Sequence, residues 1–96
     1  MILTVQLSED KVPAYEVVKE KIRLIDNTII IVKVFYMFDT ITYRFQLFKK
    51  EKMCMVELPK KLLDAIKNDG LTQQQQLMDI LYAYIKGSDC WIELTK

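Results

Sequence analysis

The chain has 96 residues, 51% hydrophobic and 28% charged, with 14 basic against 13 acidic side chains and a formal net charge of +1. That length suits one domain, 1–96, with a single core, and two Gly and two Pro are too few for a linker or low-complexity chain. With no histidine, Ser-His-Asp and Cys-His catalysis and His-ligated zinc or haem are excluded; two cysteines cannot build a four-thiolate site, nor two glycines a Gly-rich phosphate loop.

No apolar run approaches the ~18–20 residues of a membrane helix, so no membrane partner is expected. Met1 to Val5 is apolar but lacks a basic leader and a small-residue cleavage site, and reads as a strand rather than a signal peptide. Two cysteines without an export signal imply a cytoplasmic chain with reduced thiols. Cys54 and Cys90 are accordingly read as small buried hydrophobes and not as a disulfide.

In chain order, Ile2 to Leu7 alternates weakly and suits a short strand, followed by a polar connection through Pro13. Tyr15 to Ile25 is ambiguous. Tyr15, Val18, Ile22 and Ile25 recur at helical spacing, but β-branched content and the Asp26-Asn27 turn behind them suit a strand entering a hairpin. Thr28 to Phe38 is the clearest strand, with Ile30, Val32, Val34, Tyr36 and Phe38 expected under the helices and Ile29, Ile31, Phe35 and Met37 on the other face. Ile41 to Lys49 alternates cleanly, with Tyr43, Phe45 and Leu47 opposite Thr42, Arg44, Gln46 and Phe48. Met53 to Leu58 sets Cys54, Val56 and Leu58 against Met53, Met55 and Glu57, and the short connections make these three strands a meander.

Pro59 marks a change of period. Lys60 to Asn68 places Leu62, Leu63 and Ile66 on one helical face, and Gly70 lies just past its end. Thr72 and Gln75 have the spacing of a capping box for a second helix that runs to about Lys86, burying Leu77, Ile80, Leu81, Tyr84 and Ile85 before Gly87. Cys90 to Leu94 reads as a final strand or packed tail. The fold class is α+β: an antiparallel meander sheet of four to five strands with two C-terminal helices packed on one face.

Two helices cover one face of such a sheet and leave an apolar surplus on the other. Ile31, Phe35, Met37, Phe48, Met53 and Met55 are the candidate partner-binding residues there, since a soluble monomer rarely leaves so much apolar surface bare. Either the 15–25 segment folds over this face as a helix, or a second copy or another protein covers it. The leading expectation is a non-enzymatic interaction module that homodimerises or docks a protein. No nucleophile–base pair can be named, and no cofactor or metal motif is present. The alternative is nucleic-acid binding by the basic segment 44–61, whose Arg44, Lys49, Lys50, Lys52, Lys60 and Lys61 face two acidic residues for a net of +4. Lysines at turns and edges also serve to keep strands from aggregating.

Overall fold

The computed structural model describes residues 4–87 and 89–94. The elements are β1 (Thr4–Leu7), a 3-10 turn (Glu9–Lys11), α1 (Tyr15–Ile25), β2 (Ile30–Met37), β3 (Thr42–Lys49), β4 (Lys52–Pro59), α2 (Lys60–Lys67), α3 (Leu71–Lys86) and β5 (Ile92–Glu93). The five strands form one sheet in the order β1-β2-β3-β4-β5, every neighbour antiparallel. The α+β meander with two C-terminal helices is as the patterning indicates. Ile2 and Leu3, expected at the start of the first strand, lie outside the described residues. No helix among the described residues is long and apolar enough to cross a membrane.

The ambiguous segment is the helix α1. Its 3.6-residue spacing prevails because Tyr15, Val18 and Ile22 bury one stripe, while Glu16, Glu20 and Arg23 remain outside. The Asp26 N–H closes the last turn on the Ile22 carbonyl, and the Asp26 carboxylate accepts from the Thr28 N–H and hydroxyl, which turns the chain into β2. α1 does not cover the second sheet face. The Tyr15 ring stacks on Phe45 at 6.4 Å between centroids, so α1 lies beside α3 on the face that α2 and α3 already cover. One core results, in which Val18, Phe45, Leu47, Val56, Leu58, Leu63, Leu77 and Leu81 are fully enclosed.

β3 and β4 follow the expected alternation: Tyr43, Phe45 and Leu47 face the core with Cys54, Val56 and Leu58. β2 departs from it. Ile31 pairs with Leu47 and Lys33 with Gln46, so Val32 is an extra residue in a β-bulge. Because side chains alternate with period two, one inserted residue reverses every side chain on the N-terminal side of the bulge. Val34 and Tyr36 keep the expected core side, but Ile31 turns onto the core and Ile30 away from it. Ile31 is therefore corrected from an open-face residue to a core-face one. Ile29, expected on the open face, is buried immediately before β2.

The two hairpin turns of the meander carry residues with positive φ without glycine. Ile41 closes the β2–β3 connection at φ 56°, its N–H bonded to the Met37 carbonyl. Lys50 and Glu51, at φ 48° and 63°, form the two-residue link between the paired Lys49 and Lys52. Positive φ at both central residues is the turn whose twist matches that of an antiparallel hairpin.

Two further expectations are corrected. Cys54 and Cys90 are not free thiols but a disulfide, with Cα atoms 5.1 Å apart across a sequence separation of 36. The alternation buried Cys54 as expected; what the sequence hid is that the chain returns along β4 after α3 and brings Cys90 beside it. The capping box is not formed either. α3 begins at Leu71 with Gly70 as its cap, Thr72 lies inside the first turn, and the Gln75 amide donates to Asp79 at 3.0 Å. The start of α3 is set instead by Gly70, whose N–H bonds the Ala65 carbonyl so closely that a Cβ would come within 2.7 Å of that oxygen.

Candidate functional site

With all three helices on one side, no element among the described residues covers the other face of the sheet. The strand registers arrange its side chains in rows that run across the strands. At one end Ile30, Phe48, Met53 and Ile92 stand opposite one another in turn across β2, β3, β4 and β5. This row is wholly apolar, and Ile30 and Ile92 at its ends are 57% and 61% exposed. The next row is Lys33, Gln46 and Met55, and the one after it Gln6, Phe35, Arg44 and Glu57. Thr4, Met37 and Thr42 form the far end.

The polar end is internally satisfied. The Thr42 hydroxyl donates to Glu57 Oε2 at 2.6 Å, Thr40 to the same oxygen at 3.1 Å, and the Arg44 guanidinium lies 3.4 Å from Oε1. The Thr42 hydrogen bond, followed by those of Thr40 and the Arg44 charge, holds the Glu57 carboxyl below its ordinary value despite partial burial. An ionised carboxylate with its oxygens already engaged is a fixed charge rather than a proton donor. In the Lys33 row, the Gln46 amide lies against the Met53 sulfur at 2.7 Å.

Of the candidate partner-binding residues, the structure brings Phe35, Met37, Phe48, Met53 and Met55 onto this one face, each partly exposed. Ile31 is removed from the set by the bulge. Ile30 and Ile92 are the residues that the sequence reading missed. The alternation puts Ile30 on the core side because a bulge has no hydropathy signature, and it gives Ile92 no side because a two-residue strand carries no measurable period.

The basic candidates do not form one patch. Lys49, Lys50 and Lys52 surround the β3–β4 turn, where they line a cavity of about 250 Å3 with Ile85 and Trp91. Lys60 and Lys61 stand at the opposite end of β4, about 26 Å away at ~3.3 Å per residue. Arg44 is on the open face between them. Three of the six are in ion pairs: Arg44 with Glu57, Lys49 with Asp26 at 2.6 Å, and Lys60 with Asp64 at 2.6 Å. Trp91 is held at the end of α3 by its indole N–H to the Ile85 carbonyl at 2.9 Å, with the Lys49 ammonium 5.9 Å from its ring centre. Among the described residues no three Cys, Asp or Glu side chains come together to hold a metal ion.

Comparison of the chain with protein-family models, with curated proteins and with solved structures gives no match.

Proposed function

We propose that the protein is a non-enzymatic interaction module that self-associates as a homodimer through the open face of its sheet. The observation that carries this reading is the self-complementarity of the face. A two-fold axis running along the strands between β3 and β4 sets β3 of one copy over β4 of the other. Phe48 then meets Met53 of the second copy, Ile30 meets Ile92, and Arg44 meets Glu57. Apolar groups meet apolar groups and opposite charges meet, which is what a two-fold interface requires. The long Arg44 side chain absorbs the roughly 30° offset of aligned stacked sheets.

The face is small. β2, β3 and β4 each run eight residues but β1 four and β5 two, which at ~3.3 Å per residue and about 4.8 Å between strands gives roughly 480 Å2 before side-chain relief is counted. A standard interface buries about 800 Å2 per partner, so the smaller area fits a weak dimer. Adaptable Met53 and Met55, on β4 beside the axis, suit a surface that closes against another sheet.

Light scattering on the size-exclusion peak tests the reading. The expected result is a species of twice the 11.4 kDa chain mass, unaffected by salt. Phe48→Glu is expected to give a folded monomer, as is Arg44→Glu, with dimer formation restored by adding Glu57→Arg. A wild-type monomer at millimolar concentration would sink the reading, as would a dimer indifferent to Phe48→Glu and to Ile92→Asp.

The alternative, a nucleic-acid-binding surface built on Arg44, Lys49, Lys50, Lys52, Lys60 and Lys61, is weakened by their separation and by their ion pairs. Cytoplasmic residence is the part of the reading that the disulfide counts against, since such bonds are uncommon in reducing compartments. Alkylation of thiols at the moment of cell lysis decides it: labelled Cys54 and Cys90 place the chain in a reducing compartment, and blocked ones in an oxidising compartment.

A further inference from the structure

A second surface lies along the outer edge of β2 and shares Ile30 and Lys33 with the rim of the dimer face. β1 pairs only with the C-terminal half of β2, its last partnered residue being Leu7 against Val34. Beyond Leu7 the chain leaves the sheet for the 3-10 turn, so the outer edge of β2 from Ile30 to Lys33 has no strand against it among the described residues. Beside this free edge lies a cleft of about 290 Å3 between β2 and α1. Tyr15, Ile22 and Ile29, all buried, form its apolar floor. Lys19 and Arg23, one helical turn apart on α1, form its wall, and neither is in an ion pair among the described residues. Two like charges at this spacing repel each other and are relieved by an anionic neighbour. Glu9 also lines the cleft.

We propose that this cleft receives an extended peptide segment of another protein, which adds as a short strand to the free edge of β2 and directs acidic side chains to Lys19 and Arg23. Strand addition draws affinity from main-chain hydrogen bonds and specificity from alternate side chains. Here the set of alternate side chains turned toward α1 would lie over the Tyr15 and Ile22 floor with its carboxylates against the two cations, and the other set would point to the open side of the sheet. Four free residues span about 13 Å, which fixes a short segment. A second copy of this chain is the poorer occupant, since its own β2 edge carries Lys33 and would bring a cation rather than a carboxylate to Lys19 and Arg23. A small molecule is also poorly matched, since the cleft falls just under the ~300–1,000 Å3 typical of ligand pockets.

The test is fluorescence anisotropy at low salt with a labelled hexapeptide that alternates valine and glutamate, beside a control that alternates valine and lysine. The expected result is binding of the acidic peptide alone, weakened about tenfold (~1.4 kcal/mol) by Lys19→Glu with Arg23→Glu. Both side chains reach solvent, and Lys19→Ala with Arg23→Ala serves as a milder pair whose fold is checked by circular dichroism. Hydrogen exchange must also slow at the amides of Ile30 to Lys33. Phe48→Glu, which breaks the proposed dimer, is expected to leave peptide binding intact. Equal binding of both peptides, indifference to the double substitution, or protection on β4 instead of β2 would each overturn the proposal. A chain dimer lost on substituting Lys19 and Arg23 would overturn it too, since the occupant would then be a second copy.

Discussion

Asp26 and Lys49 join the end of α1 to the end of β3, with the ammonium nitrogen 2.6 Å from the carboxylate oxygen. The Lys49 hydrogen bond, then those of the Thr28 hydroxyl and N–H, hold the Asp26 carboxyl well below the usual carboxylate range. A carboxyl whose value is lower folded than unfolded stabilises the fold above the unfolded value of about 3.9, and that contribution is lost as pH falls below it. Denaturant unfolding between neutral pH and pH 2 should therefore show a loss of stability below about pH 4. In Asp26→Asn this part of the loss should be absent, and stability at neutral pH should be lower by about 1–2 kcal/mol. A variant with the full acid sensitivity of the native chain would show that the pair does not act in this way.

Backbone strain at the turns gives a second prediction, of opposite sign. Ile41 is β-branched, 56% exposed and at φ 56°, a conformation that costs an L-residue roughly 1–2 kcal/mol. Ile41→Asn should stabilise the fold by about 0.5–1 kcal/mol, because asparagine tolerates this region and little apolar contact is lost. Replacing Lys50-Glu51 with Asn-Gly should add about 1 kcal/mol for the same reason. Both are read as a raised thermal midpoint. A lowered midpoint for Ile41→Asn would mean that its side chain makes contacts outweighing the strain.

The disulfide supplies a third. It closes a loop that contains α2 and α3, so its loss should cost about 3 kcal/mol through the greater freedom of the unfolded chain. Cys90→Ser, or treatment with a dithiol, should lower the unfolding free energy from denaturant titration by that amount, and the midpoint with it. It should also expose the 89–94 segment to protease, since β5 is otherwise tied by two register pairs and the Leu94 N–H to the Glu51 carbonyl at 2.9 Å. An unchanged midpoint would mean that packing around Trp91 holds the segment unaided.

Much of this fold was legible because periodicity is a strong signal where elements are long. β3, β4, α2 and α3 fall where alternation and 3.6-residue spacing place them, and Pro59 and Gly87 mark true boundaries. Hydropathy does not state which side of a sheet a helix packs on. The helical option for 15–25 was therefore legible, but not its position beside α3. The candidate face was legible from β3 and β4, where Phe48, Met53 and Met55 alternate without interruption. It was misread at Ile31, since a single extra residue in β2 changes side without changing composition. The Cys54–Cys90 contact was hidden for a related reason: it depends on the path after α3, and no local pattern encodes that.

The one-sided placement of the helices has a consequence for how substitutions in β3 can be combined. Its odd positions, Tyr43, Phe45 and Leu47, are enclosed, and truncating Phe45 to alanine should cost about 3–5 kcal/mol. Its even positions, Thr42, Arg44, Gln46 and Phe48, alternate onto the opposite face of the sheet and are only partly buried. Two sets of side chains are thus interleaved in eight residues, one that holds the chain together and one that, on the proposed reading, meets a second copy. The outward one can be rewritten, residue by alternate residue, while the inward one stays intact.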